Sequence, residues 1–68
     1  MITVEMAREI ANKIRTTCDR GDIEVAHLIE DSLMRSALKA AANEDPGYLK
    51  IVKIALEVSS ESRERWYA

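Results

Sequence analysis

The chain has 68 residues, a formal net charge of −2, 47% hydrophobic residues and 32% charged residues. This length allows one domain at most, and the hydrophobic content excludes a disordered chain. A single cysteine and a single histidine exclude an intrachain disulfide and are too few to build a zinc site. We therefore expect one domain over residues 1–68, without a metal ion or another cofactor.

No apolar run approaches the length of a membrane span, and the first ten residues, MITVEMAREI, carry no apolar signal region. A lone cysteine agrees with a reducing compartment, because nothing in the chain depends on oxidation. We expect a cytoplasmic protein that does not bind a membrane.

Two short breaks divide the chain into three predicted helices. The first break, CDRGD, places Gly21 after a helix end and Asp22 as the N-cap of the next helix. In the second break, ANEDPG, Asp45 is the expected cap and Pro46 is expected in the first helical turn. The fold class is all-α, a three-helix bundle with helices over about residues 3–20, 22–43 and 46–65.

The first predicted helix has a single apolar stripe. Its members recur at alternating spacings of three and four residues, which indicates one buried face; they are Val4, Ala7, Ala11, Ile14 and Cys18. Cys18 is therefore expected to pack as a small hydrophobic side chain, not to act as a reactive thiol.

The second and third predicted helices are apolar over more than half of their circumference. In the second helix, Ile23, Met34, Leu38 and Ala41 form an apolar face beside the main one. In the third, apolar residues cover about 220° at 100° per residue. A helix in a three-helix bundle has only two neighbours, so either the helices cross at steep angles or apolar surface is left for a partner. The second reading predicts a homodimer through helix 2 or helix 3.

An acidic strip on the second helix surrounds the only histidine. Glu24 and Asp31 lie three residues before and four residues after His27, on the same side of a helix. These three residues form one candidate protein-binding surface. The alternative is an ordinary solvated helix face. Glu30 falls between the two apolar faces, where it either reaches solvent or pairs with a basic side chain.

The sequence contains no motif for nucleophilic catalysis, phosphate binding or metalloprotease chemistry. We expect no enzymatic activity. One alternative is a metal-dependent nucleotide hydrolase of helical type, which would need magnesium-binding carboxylates on two facing helices. The available carboxylates are Glu5 and Glu9 on helix 1 and Glu24, Glu30 and Asp31 on helix 2. Their spacing matches no known motif.

The other alternative is a DNA-binding regulator of the helix-turn-helix type, since three short helices are its format. Residues 21–45 carry two basic and six acidic side chains, and no segment is strongly basic. Affinity for DNA depends largely on neutralised phosphates, so we expect no nucleic-acid partner.

The end of the chain, SRERWYA, holds two of the three aromatic residues. Trp66 and Tyr67 come directly after Arg63 and Arg65, and these residue types are enriched at binding hot spots. They form the main candidate protein-binding surface. The alternative is that Trp66 closes the end of the bundle, in a core without phenylalanine.

Two segments, EVAHLIEDSL at 24–33 and RERWYA at 63–68, resemble short helical proteins encoded in bacteriophages and prophages. That group has no assigned activity, so the resemblance transfers no site. It implies an accessory phage protein in the bacterial host cytoplasm. The predicted function is non-enzymatic protein–protein interaction, with a host protein or with a second copy as partner.

Trp66→Ala is expected to weaken partner binding more than it lowers thermal stability, because Trp66 is assigned to a contact surface. Affinity capture from host lysate and the thermal unfolding midpoint measure the two effects. A large loss of stability, with binding kept by the folded fraction, would favour the packing alternative.

Overall fold

Three α-helices form the structure, a computed structural model that describes the backbone of residues 1–67 and the side chains of residues 1–61. Helix α1 spans Val4–Asp19, α2 spans Ile23–Ala42 and α3 spans Tyr48–Tyr67. Each helix packs against the other two. The predicted all-α three-helix bundle is confirmed, and the predicted bounds differ by one or two residues.

The first connection is a tight turn closed by backbone hydrogen bonds. Gly21 has φ +90°, and its N–H donates to the carbonyl oxygen of Cys18 at 3.0 Å. The N–H of Asp22 donates to the carbonyl oxygen of Thr17 at 3.2 Å. This pair of bonds is the Schellman motif, which satisfies the last carbonyls of a helix. The predicted role of Gly21 at the helix end is confirmed.

The helix N-termini differ in how they are capped. Asp22 occupies the N-cap position of α2 as predicted, but its side chain makes no capping hydrogen bond. At α1 the hydroxyl of Thr3 accepts a hydrogen bond from the N–H of Met6 at 3.1 Å. Sequence analysis missed this cap, although threonine is a favoured N-cap residue.

The second connection corrects a prediction. Pro46 does not lie in the first turn of α3, and Asp45 is not its side-chain cap, because the helix begins only at Tyr48. Gly47 has φ +76°, which a right-handed helix cannot contain. The N–H of Tyr48 donates to the carbonyl oxygen of Asp45 at 3.0 Å. Proline followed by a glycine at positive φ is the arrangement of a type II turn.

The core between the helices consists of small side chains. Six of the ten fully buried hydrophobic residues among residues 1–61 are alanine, and the other four are Ile14, Leu33, Ile51 and Val58. Half-buried side chains, including Cys18 and Tyr48, surround this core. Because alanine has only a methyl group, a core of this composition permits a close approach of the three helices.

Contacts at both ends show that α1 and α3 run in the same direction. At the start of both helices, Gly47 lies so close to Val4 that a methyl carbon on Gly47 would be 2.7 Å from Cγ2 of Val4. Towards their ends, Nε of Arg15 donates to Oε2 of Glu61 at 2.7 Å. Its Nη2 donates to Oε1 at 3.0 Å.

The Arg15–Glu61 pair is bidentate and partly solvent-exposed, with side-chain exposures of 34% and 40%. The hydrogen bonds to Glu61 raise the pKa of Arg15 above its ordinary value, and burial opposes this shift. Exposed ion pairs contribute at most about 1 kcal/mol to stability. Two parallel hydrogen bonds give the pair a defined geometry, so it specifies how α1 and α3 are aligned along their axes.

Gly47→Ala is expected to destabilise the fold more than Gly21→Ala. Both substitutions place a side chain at positive φ, which costs about 1 kcal/mol. Only position 47 also meets another residue, since nothing lies within 4 Å of a methyl group at position 21. Overpacking against Val4 adds about 1–3 kcal/mol. Urea unfolding of both variants measures the difference, and equal losses would contradict the close contact.

Candidate protein-binding surfaces on α2 and α3

The outward side of α2 carries a regular row of exposed residues, here called the α2 strip. Its members follow one another at spacings of 4, 3, 4, 3 and 4 residues. They lie at least about 140° around the helix from the buried Leu33, at 100° per residue. The α2 strip consists of Glu24, Leu28, Asp31, Arg35, Leu38 and Ala42, all of them exposed.

Two leucines of the α2 strip are among the most exposed large hydrophobic side chains of residues 1–61. Leu28 is 70% exposed and Leu38 is 63% exposed, whereas Leu33 on the inner face is 1% exposed. Burying a leucine fully stabilises a protein by about 1.5–3 kcal/mol. Leu28 and Leu38 contribute little of this within the single chain.

Helix α3 has a comparable outward row, the α3 strip, formed by Leu49, Lys53, Leu56 and Ser60. Leu49 is 64% exposed and Leu56 is 55% exposed. Half-buried Val52 lies one turn after Leu49 and packs against the core. The α3 strip differs from the α2 strip in charge, because its only charged member is Lys53.

Helix α1 provides an internal comparison. The side of α1 opposite its buried alanines carries only polar residues at the same spacing, namely Glu5, Glu9, Asn12 and Thr16, and all four are exposed. This is the usual outward face of a helix on a globular protein. The exposed leucines are thus a property of α2 and α3. The predicted excess of apolar surface on these two helices is confirmed in the described part of the chain.

The predicted surface of Glu24, His27 and Asp31 stays a prediction. Glu24 and Asp31 belong to the exposed α2 strip. The side chain of His27 is 43% exposed. Its Nδ1 lies 3.9 Å from Oε2 of Glu30, which is too far for a hydrogen bond.

Glu30 is more buried than its neighbours on α2. Its side chain is 14% exposed, and its Oε2 accepts no hydrogen bond from the described residues. The side chain of Glu30 therefore does not extend fully into solvent, which was one of its two expected arrangements. Within residues 1–61, no pairing with a lysine or arginine is present.

The main predicted surface, formed by Arg63, Arg65, Trp66 and Tyr67, lies outside the residues whose side chains are described. The backbone of α3 continues to Tyr67. These four residues therefore follow the α3 strip along one helix. Their role in partner binding stays a prediction.

The carboxylates of the hydrolase alternative do not come together. Within residues 1–61, no three or more histidine, cysteine, aspartate or glutamate side chains are placed so that they could hold a metal ion. In the same part of the chain, every helix is too short or too polar to cross a membrane.

Leu28 is the functional candidate that sequence analysis missed. It falls on the side of α2 that carries most of the charged residues, so the apolar faces did not include it. The sequence did contain a sign of this position. Leu28 and Leu38 are ten residues apart, which is the sum of spacings of 3, 4 and 3, so they lie on the same side of a helix. A leucine that recurs with charged residues at alternating spacings of three and four is typical of helix-pairing surfaces.

Leu33→Ala is expected to lower the free energy of unfolding by about 2–5 kcal/mol, because it leaves a cavity in the core. Leu28→Ala and Leu38→Ala are each expected to cost less than about 0.5 kcal/mol, since both side chains face solvent. Urea unfolding at low protein concentration measures all three. A loss above 2 kcal/mol for either outer leucine would show that it supports the fold of the single chain.

Searches with this chain against protein families, curated proteins and solved structures gave no match.

Proposed function

We propose that the protein is a non-enzymatic protein–protein interaction module, and that the α3 strip is where it binds a different protein. The observation that carries the proposal is the outward exposure of Leu49 and Leu56, 64% and 55%. Neither side chain is needed to fill the core, which is closed by Ile51, Ala55 and Val58 on the opposite side of the same helix.

The spacing of the α3 strip supports recognition of an elongated apolar partner surface. Leu49 and Leu56 are seven residues apart, so they project in nearly the same direction, about 10 Å apart along the helix. An apolar pair of this kind fits a groove or another helix. Lys50 and Lys53 lie beside the leucines and are exposed. Two cations next to an apolar contact favour a partner with an acidic rim.

The predicted hot-spot residues Trp66 and Tyr67 are on the same helix, further along the chain. The proposed surface would then combine two leucines with the predicted aromatic and arginine residues. The resemblance to phage-encoded proteins implies a partner from a bacterial host, and this origin is part of the proposal.

The double substitution Leu49→Gln and Leu56→Gln tests the proposal. Burying an exposed leucine fully contributes about 1.5–3 kcal/mol, so the double variant should bind its partner at least tenfold more weakly. Immobilised wild-type and variant proteins are incubated with bacterial lysate, and retained proteins are identified and then titrated. Circular dichroism confirms that the variant remains helical.

The matched control is Glu5→Gln with Glu9→Gln, which changes two exposed residues on the polar outer face of α1. This control should retain the partner with at most a small change in affinity. If the leucine variant and the wild-type protein retain the same proteins with the same affinity, the proposed role of the α3 strip is wrong.

A further inference from the structure

We infer that two copies of the chain pair through the α2 strip, with the two α2 helices antiparallel about a two-fold axis. The strip matches itself when one copy is reversed. Leu28 then faces Leu38 of the partner subunit, and Asp31 faces Arg35 of the partner subunit. Each of these pairs occurs twice, once on either side of the axis. This self-association concerns a different helix from the partner binding proposed for α3.

The regular spacing of the strip is the first argument. Members separated by 4 and 3 residues stay on one side of a helix over its whole length, which is the repeat used by paired helices. The strip extends from Glu24 to Ala42, nearly the full length of α2. A partner helix can therefore follow it without leaving the exposed residues.

The distribution of charge is the second argument, and it favours a second copy of the chain as the partner of the α2 strip. The first half of α2 carries Glu24 and Asp31 on its exposed side, and the second half carries Arg35 and Lys39. A reversed second copy places the acidic half of one helix against the basic half of the other. A single surface that is complementary to itself is what a two-fold dimer requires.

The same charges argue against a parallel pair. In a parallel arrangement with equal register, Asp31 would meet Asp31 of the partner subunit, and Arg35 would meet Arg35 of the partner subunit. Like charges at facing positions are unfavourable and act against that arrangement. The α3 strip offers no comparable selection, because Lys53 is its only charged member and the strip has no acidic residue that could face it.

The expected dimer is weak. The strip has six residues per copy, and four of these lie in the facing Leu–Leu and Asp–Arg pairs. The contact is therefore expected to be smaller than the roughly 800 Å² per partner of a standard interface. Association should therefore depend on protein concentration. It should also weaken as salt is added, since exposed ion pairs are screened.

Sedimentation equilibrium of the purified wild-type chain from about 10 µM to 1 mM is the test. The average mass should rise from 7.7 kDa towards twice that value. Asp31→Arg alone places two cations face to face, and Arg35→Asp alone places two carboxylates face to face. Each single variant should raise the dissociation constant at least tenfold. The double variant with both exchanges restores opposite charges and should associate as the wild type does.

Mixing provides an independent readout. A copy with Asp31→Arg and a copy with Arg35→Asp carry complementary strips, so an equimolar mixture should form heterodimers at concentrations where each variant alone is monomeric. The matched control, Glu9→Arg, makes the same change in charge on the polar outer face of α1 and should leave the dissociation constant unchanged. Circular dichroism confirms helicity for every variant.

A monomeric mass at 1 mM overturns the inference. So does self-association that the single charge exchanges leave unchanged, because the contact then lies elsewhere on the chain. Failure to recover association in the double variant would rule out the antiparallel register. None of these measurements uses a second protein, so they are independent of the partner-capture experiment on α3.

Discussion

Close packing of alanines between the three helices is the constraint on which the rest of the structure depends. Ala7 and Ala11 on α1, Ala37 and Ala40 on α2, and Ala55 on α3 are all fully buried. Such contacts let helix backbones approach closely and leave little interior volume. Large side chains beside this core, such as Ile29 and Met34, are half-buried against it, whereas Leu28 and Leu38 remain exposed.

The same constraint explains which parts of the fold could be predicted. Glycine, proline and capping residues act locally, so both breaks and all three helices were correctly predicted from the sequence. The start of α3 was wrong, because a proline in the first helical turn and a proline at the second position of a type II turn look alike in sequence. The positive φ of Gly47 and the hydrogen bond from Tyr48 to Asp45 distinguish them in the structure.

The candidate site was predicted in part. The apolar excess of α2 and α3 could be recognised, but not which side of each helix would be buried. Leu38 was assigned to a second apolar face, whereas Leu28 was overlooked because charged residues surround it. Once Leu33 is known to point into the core, the opposite side is determined by helix geometry alone. The ion pair between α1 and α3 joins Arg15 and Glu61, 46 residues apart, and no local pattern signals it.

The parallel direction of α1 and α3 also has a mechanical consequence. Met1 lies beside the α2–α3 connection, since Met1 and Ile2 line one surface hollow with Asn43 and Asp45. The far end of α3 is then at the opposite end of the bundle. A force that pulls these two points apart loads the contact between α1 and α3 in shear, along both helix axes. In that geometry, the packed side chains and the Arg15–Glu61 pair all resist the sliding of α1 along α3 at the same time. A force that pulls two helices apart from their short connection would instead break their contacts one after another.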